Sequence, residues 1–408
     1  MINVAILGFG VVGSGVGEVI NMNNKKLARN LNDDIAVKYI FDKREFPGTI
    51  WQDLVVHDID VIMNDPEVDV VVECMGGAHP AYDFSVMALK AGKSVVTSNK
   101  EVVAKFGHEL LSVAKENNVG YMFEASVGGG TPVIRPLIKC LVANEIDSLC
   151  GILNGTTNYI LTMMNKYSES FDSALSAAQQ KGYAEHDPSD DINGVDTCRK
   201  ICILSDIAFG YGIDSTKVYT EGIVAIRNKD VALAEKIGSS IKLLGRARRE
   251  GEKISVMVAP FIVSGERVIS GIDDVFNAVA VNGNAVGEVT LCGRGAGKLP
   301  TASAMVADIV DVVNNGGLNV SWCSPDSTPE GVVMDANDVE DKYYIAFSAK
   351  DTESAKEEIV KLFDAKILDA DMKEIAIETE KLSFGECKKR VEQLEKQGIT
   401  KLSLIRIF

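Results

Sequence analysis

The 408-residue sequence lacks several features that mark particular classes of protein. No run of 18 apolar residues occurs, so no segment is predicted to span a membrane. The 58 acidic residues outnumber the 42 basic ones, and the net charge of −16 argues against sequence-independent binding to nucleic acid or to an anionic membrane. A strand-like run starting at Ile2 leaves no room for a signal peptide, so we expect a cytoplasmic protein.

Patterns typical of metal sites and disulfides are also missing. The four histidines are too dispersed for a metal site or a catalytic triad. Eight cysteines are scattered in apolar surroundings, and only Cys198 and Cys202 lie close together, without a histidine pair. We therefore expect reduced, buried thiols. With 46% hydrophobic and 25% charged residues, the chain has the composition of a globular protein of two or three domains.

A glycine-rich motif follows the first apolar run, INVAIL. It has the GxGxxG spacing and occupies Gly8, Phe9, Gly10, Val11, Val12 and Gly13. Between a strand and a helix, this spacing predicts a dinucleotide-binding loop, because glycines let the backbone approach a pyrophosphate at a helix N-terminus. The next predicted strand, 36–41, ends at Asp42-Lys43-Arg44. An acid there favours NAD and a base favours NADP, so the cofactor preference stays open.

Further polar residues follow predicted parallel strands. VDVVVECMGG (68–77) contains Glu73 and Gly76, and the strand SVVT leads to Lys100 at the start of a helix. Ligands lie at the carboxyl ends of such strands, so these residues are expected near a site. A cation is unfavourable at a helix N-terminus, and an anionic partner would explain Lys100.

After a predicted helix at about 107–117 and a predicted strand YMFEA, the alternation of strands and helices breaks at Ser126–Pro132, which contains three consecutive glycines. We predict a nucleotide-binding domain over 1–130, a middle domain over 131–292, a return to the first domain over 293–315, a linker over 316–340 and a C-terminal module over 341–408. Helices are predicted in the middle domain at 157–167, 172–181, 195–209 and 229–243. The 126–132 loop could hold a hard cation through backbone carbonyls or could be an interdomain hinge.

The most unusual stretch is GYAEHDPSDDINGVDTCRK (182–200), which is followed at once by the apolar run ICILSDIAFG. A helix that is apolar on all sides lies in the core, so the charged turn before it is expected to open into protein. Asp196 and Lys200 are four residues apart and share one helical face. A surface ion pair is the ordinary interpretation. Beside several carboxylates at the mouth of a buried helix, the pair instead predicts a cluster for proton transfer.

Five ordered motifs resemble those of homoserine dehydrogenases. They are TSNKEVVA, FEASVGGGTP, GILNGTTNYIL, GYAEHDPSDDINGVDTCRK and GRGAG…PTASA. The resemblance covers most of residues 1–315. It implies an α/β fold with a Rossmann-type domain and an α+β substrate and dimerisation domain. It also implies NAD(P)H-dependent reduction of L-aspartate 4-semialdehyde to L-homoserine, on the route to threonine, isoleucine and methionine, by a homodimer.

The resemblance also implies residue roles. Lys200 would donate a proton to the carbonyl oxygen with Asp196 beside it, and Lys100 would lie where cofactor and substrate meet. Glu185 and Asp191 would bind the amino and hydroxyl ends of homoserine. Gly295 would touch the cofactor, and the backbone carbonyls of Glu124, Val127, Gly129 and Thr131 could hold a sodium ion.

The sequence is compatible with two alternative functions. A related semialdehyde dehydrogenase would share the Rossmann half, but the 182–200 stretch argues against it. A non-catalytic nucleotide-binding regulator would require the 185–200 cluster to be structural.

Residues 341–408 resemble an ACT module, a regulatory unit that many homoserine dehydrogenases use for inhibition by threonine. Where such modules generally have an Asp-x-Pro-Gly turn, this chain has Ala349-Lys350-Asp351-Thr352-Glu353-Ser354. Without proline or glycine, the open backbone of that turn is disfavoured. Asp351 or Thr352 is expected to cap the following helix, and threonine is expected to inhibit weakly.

Overall fold

The structure, a computed structural model, describes residues 1–408 and contains two β-sheets flanked by helices. The first sheet has six parallel strands: β1 (Ile2–Leu7), β2 (Ile35–Phe41), β3 (Val55–Val56), β4 (Val70–Glu73), β5 (Ser94–Thr97) and β6 (Tyr121–Met122). Their order, β3-β2-β1-β4-β5-β6, is that of a Rossmann-type sheet and places the switch point between β1 and β4. No helix of the protein has both the length and the apolar character needed to cross a membrane.

The helices that follow these strands are α1 (Val11–Leu31), α2 (Ile59–Met63), α3 (Ala81–Lys90), α4 (Lys100–Glu116) and the single turn α5 (Ala125–Gly128). The turn from β1 into α1 depends on glycine. Gly8 has φ +86°, and a Cβ on Gly13 would lie 2.1 Å from the Gly8 carbonyl oxygen. Side chains at these positions would push the helix away from the strand.

The middle of the chain forms the strands β7 (Ile146–Ile152), β8 (Tyr219–Thr220), β9 (Ser239–Glu250), β10 (Lys253–Ser264), β11 (Phe276–Gly283) and β12 (Gly287–Arg294). Its helices are α6 (Gly155–Tyr167), α7 (Phe171–Gln180), α8 (Ser189–Ile192), α9 (Val195–Phe209) and α10 (Asn228–Lys236). Next, α11 (Lys298–Asn315) packs against α1, where a Cβ on Gly15 would lie 2.9 Å from the Lys298 carbonyl oxygen.

The C-terminal residues form a βαββαβ unit of ferredoxin-like order. Its elements are β13 (Glu340–Ser348), α12 (Thr352–Phe363), β14 (Lys366–Ala370), β15 (Glu374–Glu378), the short β16 (Leu382–Ser383), α13 (Phe384–Lys396) and β17 (Thr400–Ile407). Asp351 caps α12, accepting hydrogen bonds from the amides of Glu353 and Ser354, as predicted.

The C-terminal unit shares one sheet with the middle of the chain. The strand order is β12-β11-β7-β9-β10-β17-β13-β15-β14, and β10 pairs in parallel with β17. A bidentate ion pair crosses the junction, with the Arg246 guanidinium 2.7 Å from both carboxylate oxygens of Asp341. Both side chains are only 4% exposed. Removing the C-terminal unit would therefore expose a sheet edge and leave a buried arginine unpaired.

Several predicted elements differ from the structure. The predicted helix 229–243 is wrong after Lys236, because Gly238 at φ +70° ends the helical run and β9 begins at Ser239. The helix predicted at 107–117 begins earlier, at Lys100. The strand predicted over YMFEA covers only Tyr121–Met122, and β14 was not predicted.

Two other expectations need correction. The cysteines form no disulfide, but Cys140 and Cys292 are exposed, so the prediction of burial is wrong for these two. Within residues 316–340, predicted as a linker, Trp322 is 8% exposed and packs edge-on against Phe123. Its ring lies so close to α4 that a Cβ on Gly107 would be 2.6 Å from it. Trp322 is therefore packed against α4 and the residue that follows β6.

We predict that Trp322→Ala lowers the free energy of unfolding by about 3–5 kcal/mol, the usual cost of emptying a large aromatic site in a core. Chemical denaturation measures this. Met372→Ala is the matched control, because Met372 is 91% exposed and should change stability very little. Equal, small effects of both substitutions would show that the segment contributes nothing to the core.

Candidate active site

The carboxyl ends of β1 and β4 form a cradle for a dinucleotide. Helix α1 has no side-chain cap at Gly10, so its first amides face the sheet edge without a partner from the cap residue. A Cβ on Gly10 would meet nothing within 4 Å, and a ligand can therefore approach the backbone there. Phe9 is buried beneath the loop. These residues fit the pyrophosphate of a dinucleotide.

Asp42 and Arg44 lie beside this cradle at the end of β2. The Asp42 carboxylate accepts a hydrogen bond from the Phe9 amide at 2.7 Å, and the Arg44 guanidinium donates to both carboxylate oxygens at 2.9 Å. Arg44 is 61% exposed while Asp42 is 9% exposed. The Arg44 guanidinium holds the pKa of Asp42 well below its ordinary value. The acidic and basic candidates are therefore one ion pair.

The loop that contains Gly76 lies next to the first glycine loop. A Cβ on Gly8 would be 3.0 Å from Cγ of Met75. The Asn99 side chain donates to the carbonyl oxygens of Met75, at 3.3 Å, and Gly77, at 2.8 Å. Asn99 also caps α4, which begins at Lys100. One amide thus joins the candidate cofactor loop to the helix that carries a candidate catalytic lysine.

The centre of the site is the Asp196 carboxylate, which pairs with two lysines. Its Oδ2 atom is 2.8 Å from the Lys200 ammonium, and its Oδ1 atom pairs with the Lys100 ammonium. Asp196 is 4% exposed, Lys200 11% and Lys100 38%, so the cluster is closed on the α9 side and open on the α4 side. The Lys200 ammonium also donates to the Leu153 carbonyl at 2.8 Å. The prediction that the two groups share one helical face is confirmed.

Asn154 connects this cluster to a second carboxylate. Its side-chain nitrogen donates to Asp196 at 2.9 Å and to Asp191 at 2.7 Å, and its oxygen caps α6 by accepting from the Thr157 amide at 2.9 Å. The sequence pattern gave Asn154 no role. The only local signal was a polar amide between a strand and a helix, which is typical of an N-cap.

Burial and charge shift the ionisation of these groups in opposite directions. Burial lowers the pKa of Lys200, against the attraction of Asp196. Burial alone would raise the pKa of Asp196, but the two ammonium groups outweigh it and lower that pKa. Burial raises the pKa of Asp191. A lysine that gives up its proton more readily beside a permanent anion suits a proton donor.

The other charged residues of the 182–200 stretch lie outside the cluster. Glu185 is exposed, and its side chain makes no hydrogen bond or ion pair. Asp187 accepts from the Ser189 amide and hydroxyl, and Asp190 pairs with Arg199 at 2.8 Å. The structure therefore brings together Asp191, Asp196 and Lys200 with Lys100. Asp187 and Asp190 instead make local contacts at the protein surface, a hydrogen-bonded turn and a surface ion pair.

The GRGAG loop (293–297) interlocks with the 126–132 loop. A Cβ on Gly129 would lie 2.2 Å from the Gly295 carbonyl oxygen, and the Gly130 amide donates to the Arg294 carbonyl at 3.1 Å. The approach requires glycine at Gly129, where a side chain would collide with the neighbouring backbone. The backbone around Glu124, Val127, Gly129 and Thr131 is buried at this contact.

Glu124 has a side-chain role that the sequence did not suggest. Its carboxylate accepts from three consecutive amides, those of Val133, Ile134 and Arg135, at 2.6–2.8 Å. Arg135 in turn pairs with Asp308 of α11 at 3.0 Å. The Glu124 side chain therefore fixes the backbone that follows the 126–132 loop. Only the backbone carbonyl oxygen of Glu124 is left as a candidate ligand for an ion.

Family models and related proteins that match this chain all carry the same description. A family model described as "Homoserine dehydrogenase, NAD binding domain" matches residues 8–124, and one described as "Homoserine dehydrogenase" matches residues 132–310. The homoserine dehydrogenase of Bacillus subtilis is 39% identical over 323 residues, 78% of this chain and 75% of that protein. That of Pseudomonas aeruginosa is 40% identical over 359 residues, 86% of this chain and 82% of that protein.

Solved structures agree. The crystal structure of a homoserine dehydrogenase from Thiobacillus denitrificans has a TM-score of 0.89 at 34% identity and covers 100% of this chain and 98% of that one. A hyperthermophilic archaeal homoserine dehydrogenase mutant in complex with NADPH has a TM-score of 0.65 at 28% identity, with 76% of this chain and 97% of that chain covered.

The Asp196 cluster generates a stability prediction. Asp196→Asn leaves Lys200 buried without a counter-ion, so we expect a loss of about 3–5 kcal/mol in the free energy of unfolding at pH 7. Because the folded-state pKa of Lys200 is lowered, the unfolded state binds more protons, and part of the loss should be regained as the pH rises toward 10. Urea unfolding at several pH values measures both effects.

Asp190→Asn is the matched control for this experiment. Asp190 is 62% exposed in its ion pair with Arg199, and such pairs contribute about 0–1 kcal/mol. A loss for Asp196→Asn no larger than the control's would contradict the account of a buried, shared carboxylate.

Proposed function

Since the chain belongs to the homoserine dehydrogenase family, and is thus an NAD(P)-dependent oxidoreductase that acts on a CH–OH group, we propose that it reduces L-aspartate 4-semialdehyde with Lys200 as the proton donor. The observation that carries this assignment is the single buried Asp196 carboxylate held between the ammonium groups of Lys100 and Lys200. The alternatives, a non-catalytic regulator and a different semialdehyde dehydrogenase, do not account for matches to both family models.

The bound nicotinamide supplies the hydride. Negative charge then develops on the aldehyde oxygen, and an ammonium group both stabilises that charge and donates a proton to it. Lys200 is suited to this role because burial lowers its pKa while the Leu153 carbonyl and Asp196 fix its position. Lys100 is more exposed and lies at the start of α4, where it can contact both substrate and cofactor.

Two carboxylates are proposed to bind the substrate, Glu185 at its amino end and Asp191 at its hydroxyl end. Asp191 is the one that the hydrogen bonds place at the cluster, because Asn154 joins it to Asp196. Glu185 is exposed and unpaired, and its role in binding the amino group stays a prediction. Asn154 is expected to keep Asp191 and Asp196 from repelling each other by donating to both.

The ion pair of Asp42 and Arg44 supports the use of both cofactors. Asp42 can accept the ribose hydroxyls of NAD(H) once Arg44 turns away, and the freed Arg44 guanidinium can pair with the 2′-phosphate of NADP(H). The relative that binds NADPH supports the second mode.

Five finer features belong to the same proposal. The interlocked loops leave the backbone of Glu124, Val127, Gly129 and Thr131 buried together, which suits a sodium ion bound by carbonyl oxygens. The edge strand β12 offers unpaired backbone groups for a homodimer through the middle of the chain. The ACT-like role of the C-terminal unit, weak inhibition by threonine and a cytoplasmic location stay predictions.

We predict that Lys200→Met abolishes homoserine-linked turnover, by about a thousandfold or more, while cofactor affinity changes by less than about threefold. Steady-state absorbance assays and fluorescence titration of the cofactor measure the two effects. Arg199→Met is the matched control on the same helix, because the Arg199 side chain donates its hydrogen bond to Asp190, outside the cluster. Near-normal turnover in Lys200→Met would rule out the proton-donor assignment.

The cofactor proposal predicts that substitutions of Asp42 and Arg44 change the affinities for NAD(H) and NADP(H) in opposite ways. Arg44→Ala should weaken NADP(H) binding about tenfold to a hundredfold, because a charge-assisted contact is lost, and leave NAD(H) binding unchanged or tighter. Asp42→Asn should weaken mainly NAD(H). Dissociation constants for both cofactors with each variant test this, and parallel losses for NAD(H) and NADP(H) would refute it.

A further inference from the structure

We propose that Glu73 is a positioning residue for the reaction, which fixes the 75–77 loop and the start of α4 and thereby holds the Lys100 ammonium against Asp196. This inference rests on the proposed roles of Lys100 and of the 75–77 loop in binding cofactor and substrate. Glu73 itself touches none of the reacting groups.

Glu73 is fully buried at the carboxyl end of β4, where it has no cationic partner. One carboxylate oxygen accepts from the Met75 amide at 2.6 Å, and the other accepts from the Thr97 hydroxyl at 2.6 Å. A buried carboxylate with only two neutral donors is costly to the fold. Burial of this charge does not itself favour the folded state, which points to another use for the carboxylate.

The hydrogen bonds continue from Glu73 into α4. The Thr97 hydroxyl accepts from the Asn99 amide at 2.9 Å, and the Asn99 side-chain oxygen caps the helix by accepting from the amides of Glu101 and Val102, both at 3.2 Å. Lys100 is the first residue of that helix. The orientation of the Lys100 backbone is therefore set by a chain of bonds that begins at Glu73.

The same chain fixes the candidate cofactor loop from both sides. Glu73 holds the Met75 amide, and Asn99 donates to the carbonyl oxygens of Met75 and Gly77. Met75 in turn contacts the first glycine loop at Gly8. Loss of the carboxylate would loosen the loop and the lysine together, and misplacement by about 1 Å can reduce a rate a hundredfold.

The ionised form of Glu73 suits this role, because it can accept from both donors. Burial raises the pKa of Glu73 to about 7. Cys74 and Tyr121 are the titratable groups that face it, and burial keeps both neutral by raising their pKa values well above the ordinary range. A protonated Glu73 would lose one acceptor site. Positioning should therefore weaken as the pH falls through about 7.

Stability and activity should respond in opposite ways. A raised folded-state pKa means that the stability contributed by Glu73 is present at low pH and is lost as the pH rises through about 7. At pH 8, Glu73→Gln should therefore unfold at the same denaturant concentration as the wild type, or higher. A positioning role predicts that the variant is nevertheless slow.

The experiment measures single-turnover NADPH oxidation with aspartate semialdehyde for the wild type, Glu73→Gln, Thr97→Val, Thr97→Ser and Ser85→Ala. Ser85 is the matched control, a fully buried hydroxyl of the same domain that bonds only within α3. We expect Glu73→Gln to slow hydride transfer about tenfold to a hundredfold at pH 8 and to remove the decline of the wild-type rate below pH 7. Thr97→Ser should recover most of what Thr97→Val loses.

Four outcomes would overturn the inference. They are a Glu73→Gln rate within twofold of the wild type, an unchanged decline below pH 7, equal losses for the two Thr97 variants, and an unfolding midpoint that falls in parallel with the rate. Wild-type turnover separates this failure from failure of the proposed function. If the wild type does not reduce aspartate semialdehyde, or if Lys100→Met is fully active, the proposed function fails first.

Discussion

The proposed chemistry of this protein depends on one carboxylate shared by two cations. Asp196 is almost fully buried and receives the ammonium groups of Lys100 and Lys200 on its two oxygens. Without it, two positive charges would face each other in a poorly solvated cleft, and Lys200 would lose its proton well below the ordinary pKa of lysine. With it, the attraction of Asp196 opposes the lowering of the Lys200 pKa by burial, which favours the charged form that the proposed proton donor needs.

The fold brings these charges together from distant parts of the chain. Lys100 comes from the helix that follows β5 of the Rossmann-type sheet, whereas Asp196 and Lys200 come from α9, which packs on the larger sheet. Leu153 and Asn154 follow β7 and supply the carbonyl and amide that orient the cluster. The cleft between the two sheets is therefore also the place where a dinucleotide at the β1–β4 switch point would meet substrate.

Much of this arrangement could be predicted from the sequence, and the reasons for the failures are local and physical. The bounds predicted for α9, 195–209, are those observed, because Gly194 and Gly210 flank an apolar run and both adopt left-handed conformations. In contrast, the helix predicted at 229–243 ends at Lys236, because Gly238 adopts a left-handed conformation and the apolar residues that follow belong to β9. Asn154 and Asp196 are separated by 42 positions in the sequence, and Lys100 and Asp196 by 96. No periodic pattern in the sequence predicts contacts over such separations.

The most direct test of the central claim is the pH dependence of single-turnover aldehyde reduction by the wild-type protein. If Lys200 donates the proton from its position beside Asp196, the rate should fall as the pH rises through a pKa that is clearly below the ordinary lysine value of about 10.4. The reverse oxidation of homoserine should accelerate over the same range. A reduction rate that stays constant to pH 10.5 would contradict the account, because the donor would then have to be another group.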